Sequence, residues 1–533
     1  MNTAKYGGRC SQKGRNKMGN SVKNSGEKLK FPIFTRGDFN GVIYVFVGNI
    51  GSFLVAIASL KGFGWSDELI FDRVIPGICL GLLFSGLYYT FMAIRLGRKE
   101  GRTDVTALPF GLSTPVMMVY LFSVIAPLQF GLGLSPEETW KYTLAAVFVG
   151  GLIESCGGFV GPVVRKLIPR AAMLATVGGI ALVWMGTRGV FSVYALPLVG
   201  MPVLMIALLG LIGGYKLPKK IPPLVVALIM GIVFALVFKE ATIVLDKLGT
   251  FTPAIPAIGT MIEGFKGILP ILVTIIPVEI YNFIETMDNV ESAIVAGDNY
   301  NVKEAQIIDG VATALGACFG AVLPNTVWIG HPGLKKAGCG VGFAWVSGLL
   351  FAIAGFFGFF NFLYYLIPGV VVAIVFLWCT QLIVTQSFVD NPRRYGAAIV
   401  IGLIPHIADL LHTQTTAAFS ALGAEMTTEN IAAMVNGGAY WYGVPELKAG
   451  AIITGMLWAA VVCFIIDRKL VNATVACLVG AVMTFFGVIH GSSLGINVGD
   501  PKLLAGYLMA AAVAIIFHLV RHKLEYERRY DYL

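Results

Sequence analysis

LPNTVWIGHP, residues Leu323 to Pro332, interrupts an otherwise apolar run with two prolines, a glycine and the polar side chains of Asn325, Thr326 and His331. A second stretch, LPFGLSTP from Leu108 to Pro115, does the same in the first half of the chain. Proline removes a backbone donor and glycine loosens a helix, so each stretch is expected to be extended at first and then to turn into a short half-helix. In lipid such backbone survives only where protein buries it or where it lines a cavity. The two breaks fall in the third and tenth apolar runs, at matching places in two halves. Paired interruptions of this kind point to a transporter binding site, built where half-helix N-termini meet near the bilayer middle.

The rest of the chain supports a membrane setting. Its 533 residues are 56% hydrophobic and 13% charged, against about 25% charged for soluble domains. At about 20 residues per crossing, the apolar runs amount to about sixteen spans. These lie near 40–60, 74–95, 106–126, 140–161, 171–190, 194–214, 221–239, 268–296, 305–322, 325–338, 340–361, 363–386, 395–411, 448–467, 470–489 and 503–520. The ten-residue alternation of a transmembrane β-barrel is missing, so the fold class is an all-α polytopic membrane protein.

The net charge of +9 is concentrated in a tail over 1–36, where nine Lys or Arg stand against Glu27, leaving +8. That tail is expected to be a disordered cytosolic segment held near anionic lipid, and nucleic acid is not expected as a partner. Loops after even-numbered spans are basic: Arg95, Arg98, Lys99 and Arg102; Arg165, Lys166 and Arg170; Lys216, Lys219 and Lys220; Lys335 and Lys336; Arg393 and Arg394; Arg468 and Lys469. The positive-inside rule then places both termini in the cytosol, in a plasma membrane or bacterial inner membrane. The expected units are a first repeat 37–239, a polar connector 240–266, a second repeat 267–467 with a long outer loop 412–447, and additional C-terminal spans over 468–533. The eight cysteines are scattered and read as small core residues. Neither a P-loop nor an HExxH motif occurs, so ATP drive and zinc hydrolysis lack support, and neither an enzyme activity nor a bound metal or cofactor is expected.

The eighth run, PVEIYNFIETMDNVESAIVAGD from Pro277 to Asp298, is unusually acidic for its place. At about 100° per residue, Asn282, Glu285, Asp288, Asn289 and Ser292 share an arc of roughly 120°. Glu279 and Glu291 flank this stripe. An intramembrane carboxylate normally faces a cavity and serves substrate, ion or proton handling, which makes Glu285 the first candidate for proton coupling, with Asp288 a further one on the same arc. Glu154 lies among Gly150, Gly151, Gly157 and Gly158 in the fourth run, where a proton-path role and a packing hydrogen bond weigh equally.

Glu285, the acidic eighth run, the following DGVATALGACFGAVLPNT (Asp309 to Thr326) and the two broken runs resemble the xanthine/uracil permease (nucleobase-ascorbate transporter) family over residues 36 to 411. The resemblance implies two inverted seven-span repeats forming a core and a gate domain, with two spans left over at the C-terminus. It implies a base-binding site in which Glu285 and Asn289 hydrogen-bond the ring, Phe110 stacks on it, and the backbone of Trp328, Ile329 and Gly330 contacts it. The family's second recognition side chain in the tenth span is replaced here by Gly330, His331, Pro332 and Gly333, leaving His331 to donate and accept in its stead. The expectation is a secondary transporter taking up a purine, xanthine or uracil-like base with a proton or sodium gradient. Its other partner is the bilayer, and a homodimer is an alternative to the single chain. A different class, an anion carrier of the sulfate or bicarbonate type, shares this architecture, although a carboxylate on the cavity face repels anions.

Overall fold

The computed structural model describes residues 30–215, 223–245, 248–389, 391–491, 495–523 and 525. Most of the basic tail, residues 1–29, lies outside these, as do Lys216, Lys219 and Lys220. The apolar runs become helices or broken helices, numbered here in chain order. They are α1 Asp38–Gly62, α2 Asp67–Glu100, α3 Thr114–Phe130, α4 Pro136–Leu167, α5 Arg170–Ala195, α6 Pro197–Gly210 and α7 Pro223–Val237 in the first half. The second half supplies α8 Leu269–Val295, α9 Val302–Cys318, α10 His331–Lys336, α11 Gly342–Phe356, α12 Gly369–Val389, α13 Gly396–Ala421 and α14 Ala451–Ile466. Two further helices, α15 Leu470–Phe485 and α16 Pro501–Val520, form a hairpin packed on α14. Among the described residues, seven helices are long and apolar enough to cross a membrane, or eight if one pair bent by 80° is a single span.

The helices sort into two bundles whose contacts repeat when the halves are exchanged. In the core bundle α2 packs on α11 and α9 packs on α4; α1 meets α11 as α8 meets α4. In the gate bundle α5 packs on α13 as α12 packs on α6, and α13 packs on α14 as α6 packs on α7. This exchange is the inverted repeat. Glycines bring the core helices together: a Cβ on Gly310 of α9 would stand 2.2 Å from the Gly151 carbonyl of α4, and one on Gly86 of α2 would stand 2.6 Å from the Ala344 carbonyl of α11. Small residues at such crossings permit the close backbone approach that helix association in lipid favours.

Several segments differ from the sequence reading. The break between α11 and α12 is a turn at Gly358 (φ 70°) followed by a short helix, Phe359–Leu366. The connector after α7 contains a helix, Ile258–Gly264, and its extended part hydrogen-bonds the Phe356–Tyr365 region through Thr242, Gly249 and Thr252. Helix α13 runs ten residues past the expected end of its run, to Ala421, and the long loop beyond it holds the helices Thr428–Asn436 and Val444–Lys448. Polar residues on one side of these pieces concealed helices that need only one apolar face.

The two broken runs each begin with a strand, β1 Phe110–Leu112 and β2 Asn325–Val327, and the strands pair antiparallel with Phe110 opposite Val327. All six residues are buried. The outward-facing backbone groups of this ribbon find partners on neighbouring side chains. Asn49 of α1 accepts from Leu112 N–H (2.9 Å) and donates to the Phe110 carbonyl (3.3 Å). Asp309 of α9 accepts from Val327 N–H (2.8 Å), Asn289 of α8 donates to the Val327 carbonyl (2.7 Å), and Thr313 of α9 accepts from Asn325 N–H (3.0 Å). Trp328 Nε1 donates to the Leu112 carbonyl (3.0 Å). Replacing Asn49 by Leu strands two backbone groups in an apolar core, each costing about 1–3 kcal/mol. Thermal melting in detergent is expected to show a clear drop for Asn49→Leu and a small one for a control at the exposed Ile401.

Candidate functional site

The ribbon brings the start of α3, the loop before α10 and the polar face of α8 into one region of the core bundle. Ser113, extended at the N-terminus of α3 (φ −67°, ψ 101°), does not cap that helix with its side chain. Its hydroxyl instead donates to Glu285 Oε2 at 3.0 Å, and the Glu285 side chain is half-buried. The expected stripe on α8 divides among three tasks. Glu285 faces α3, Asn289 holds β2, and Asn282 donates to Glu279 (3.2 Å), whose other oxygen accepts from Tyr120 of α3 at 2.6 Å. Gly150 leaves the space for that pair, because a Cβ there would lie 2.6 Å from both Glu279 Oε1 and the Tyr120 hydroxyl. Ser292 turns back on the Asn289 carbonyl, and Asp288 is half-buried nearby.

Behind the ribbon lies a second polar group. Thr286 Oγ1 stands 2.7 Å from Asp309 Oδ2, 2.9 Å from Thr326 Oγ1 and 3.3 Å from Glu154 Oε1, and all four residues are fully buried. Glu154 is thus in the core bundle, against Thr286, the residue that follows Glu285 on α8.

Of the remaining expected site residues, three stay near the crossing. Trp328 packs edge-on against Tyr44 of α1, the Ile329 carbonyl accepts from the Tyr44 hydroxyl at 2.6 Å, and Gly330 takes φ 113° with that hydroxyl 2.5 Å from where its Cβ would stand. Any side chain at Gly330 would be both strained and blocked. Two residues are drawn elsewhere. The Phe110 ring is fully buried between Tyr89 and Phe351, on the far side of β1. His331 is fully buried too, with Nε2 3.0 Å from the Thr106 carbonyl and 3.1 Å from Asp298 Oδ2. Asp298 also takes Arg102 (2.7 Å), Lys335 and the Thr106 N–H (3.1 Å), forming an anchor that ties the α2–β1 and α8–α9 loops to α10. Sequence reading missed Asn49, Ser113, Thr286 and Asp309 as partners of the ribbon and the acids. The only signal was that each is a hydrogen-bonding residue inside an apolar run.

Between the bundles the walls differ from end to end. Near the loops that follow α4 and α14, the core and gate meet in a packed apolar seam, with Phe283 and Ile284 of α8 against Met173 of α5 and Met456 of α14. Toward the opposite end a cavity of about 610 Å³ opens between Phe122 and Phe130 of α3 and His412 and Thr416 of α13, with Lys448 on its wall. The Arg188 guanidinium of α5 sits 4.2 Å over the Phe122 ring that lines it. No carboxylate among the described residues acts on Arg188, whereas Lys448 is near enough to Asp409 to attract it. The nearby acid, Asp409, is buried and accepts from Trp184 Nε1 at 3.3 Å.

No protein-family model and no curated protein matches this chain. Three solved structures that do match bear other names than the expected family's. The transmembrane domain of a cyanobacterial bicarbonate transporter, BicA, is 15% identical over 71% of this chain and 96% of that one, with a TM-score of 0.48. SLC26A9 is 12% identical over 72% of this chain and 65% of that one, with a TM-score of 0.47. The murine solute carrier 26 family member A9, an anion transporter in its inward-facing state, is 11% identical over 78% and 70%, with a TM-score of 0.40. The expected membership of the xanthine/uracil permease family, and with it the nucleobase, purine, xanthine or uracil substrate, is therefore corrected: the matches carry anion-transporter names. The geometry explains how the motif resemblance misled, since Phe110 and His331, two of the side chains it assigned to a base, are engaged in packing and in the Asp298 anchor.

The anchor has a pH signature. Burial alone would push the Asp298 carboxyl up, but hydrogen bonds from His331, Lys335, Arg102 and the Thr106 amide outweigh it and hold the group well below the usual carboxylate range. A depressed carboxylate contributes stability that is complete above its unfolded value of about 3.9 and lost as pH falls through the folded value. Melting temperature is therefore expected to fall below about pH 4. Asp298→Asn is expected to melt lower than wild type at neutral pH and to lose less on acidification.

Proposed function

We propose that this chain is a secondary transporter of a small anion, moved by displacement of the core bundle against the gate bundle. The observation that carries the reading is the cavity between α3 and α13, whose wall bears Lys448 and adjoins Arg188, so that two cations flank it against one nearby acid, the buried Asp409. Cations in a low-dielectric cleft concentrate anions and raise their rate of encounter. The volume of about 610 Å³ suits a small solute. An apolar seam at one end and an open cavity at the other is the arrangement that one face of an alternating-access cycle requires.

Glu285 fits this reading if anion and proton travel together. As a carboxylate beside the N-terminus of α3 it would repel an incoming anion; as a carboxylic acid it becomes a donor. Its bond to Ser113 holds it at the place where a substrate anion would meet the start of the half-helix.

Flux into proteoliposomes, measured for bicarbonate, sulfate, chloride and small carboxylates with and without an inward proton gradient, tests the proposal. Expected is uptake of one anion class, stimulated by the gradient. Lys448→Gln should raise KM about tenfold, with kcat within about twofold, because it removes encounter and not the transport step. Glu285→Gln should retain anion exchange and lose the response to the gradient. Absence of flux for every anion, or an unchanged KM in Lys448→Gln, would overturn the reading.

A further inference from the structure

The buried group behind the ribbon has one hydrogen too few. Thr286 possesses a single hydroxyl hydrogen, and its shortest contact, 2.7 Å to Asp309 Oδ2, claims it over the 3.3 Å approach to Glu154 Oε1. Val327 N–H also goes to Asp309 Oδ2. Among the described residues the second oxygens, Glu154 Oε2 and Asp309 Oδ1, have no closed hydrogen bond, and both residues are fully buried. A further group points into the same space from α2: the Tyr89 hydroxyl, fully buried and without a closed hydrogen bond of its own, lies beside Asp309. If Glu154 were ionised, it would be a charge with no donor, within an apolar bundle and against a second carboxylate. That arrangement is too unfavourable to persist.

We infer that Glu154 and Asp309 form a proton-binding site that holds one shared proton, carried on Glu154 and directed at Asp309. The proton supplies the missing donor, satisfies two orphaned oxygens with one bond, and leaves the pair with one negative charge, which the Val327 amide, Thr286 and Tyr89 surround. The other titratable groups facing the pair are Glu279 of α8 and Tyr120 of α3, with Glu285 of α8 toward Asp309. Glu279 already accepts from Tyr120 and Asn282, and Glu285 from Ser113, so neither competes for the same hydrogen.

The location gives the proton a consequence. Asp309 is the acceptor that fixes Val327, and Val327 leads directly into Trp328, Ile329 and Gly330 at the crossing. Loss of the shared proton would put two charges behind β2 and load the bond that positions it. A use of this proton in coupling rests on the transport reading above; its presence in the folded protein does not.

Infrared spectroscopy of the full chain in detergent at neutral pH separates the two questions, because a buried protonated carboxyl shows its own acid carbonyl stretch. In an E279Q/E285Q background, which silences the neighbouring acids, that band is expected. It should be absent when Glu154→Gln is added, since the amide donates to Asp309 in the proton's stead. Persistence of the band in Glu154→Gln overturns the assignment. Should the Glu154 variant fail to fold, the same background carrying ¹³C-labelled glutamate must shift the band; a band that does not shift, or no band, overturns it equally. A melting temperature raised by sodium over choline in wild type but not in Asp309→Asn would show that a metal cation, not a proton, occupies the site, and would also overturn it. None of these outcomes depends on which solute is transported.

Discussion

Two short strands crossing inside a helical membrane protein create a demand that helices do not make. Each strand has one side facing its partner and another whose N–H and C=O groups have neither water nor backbone to bond. Here that demand is met by side chains from three surrounding helices, Asn49 of α1, Asn289 of α8, and Asp309 and Thr313 of α9. Because each reaches the ribbon at ordinary hydrogen-bond distance, the ribbon fixes how far α1, α8 and α9 stand from the crossing. Glycine contacts between α4 and α9 and between α2 and α11 then close the core bundle around it.

The same arrangement explains why the acids are where they are. Asp309 serves the ribbon and also belongs to the buried group with Glu154 and Thr286. Glu285, on another side of α8, meets Ser113 where the chain leaves β1 for α3. One helix thus presents one polar face to the ribbon and another to the start of the half-helix. This division lets the core carry a half-buried carboxyl without leaving the backbone of the ribbon unpaired.

The broken runs were legible in the amino-acid sequence because Pro109, Pro115, Pro324 and Pro332 forbid continuous helix, and matching breaks in two halves imply a repeat. The polar arc of α8 was legible from its spacing. The pairing of β1 with β2 was not, because strands more than two hundred residues apart leave no local pattern, and three residues are too few for an alternation to register. The direction of Phe110 was hidden for a related reason: shifting a strand by one residue turns every side chain to the opposite face, so only the register shows that its ring enters the core. His331 looked like a recognition residue because Asp298, Arg102 and Lys335 are distant along the chain and converge only when α10 folds back over the loops.

The exchange of halves that relates α2 with α11 to α9 with α4 has a geometric corollary. Under that exchange α3 becomes α10 and α13 becomes α6, so the gap between α3 and α13 has a counterpart between α10 and α6 that opens to the other face of the membrane. If the proposed transport operates, a single chain built this way needs no second fold for an opposite-facing form, because the two halves could trade the shapes they already hold, and the ends of α3 and α10 would alternate as the rim of the opening.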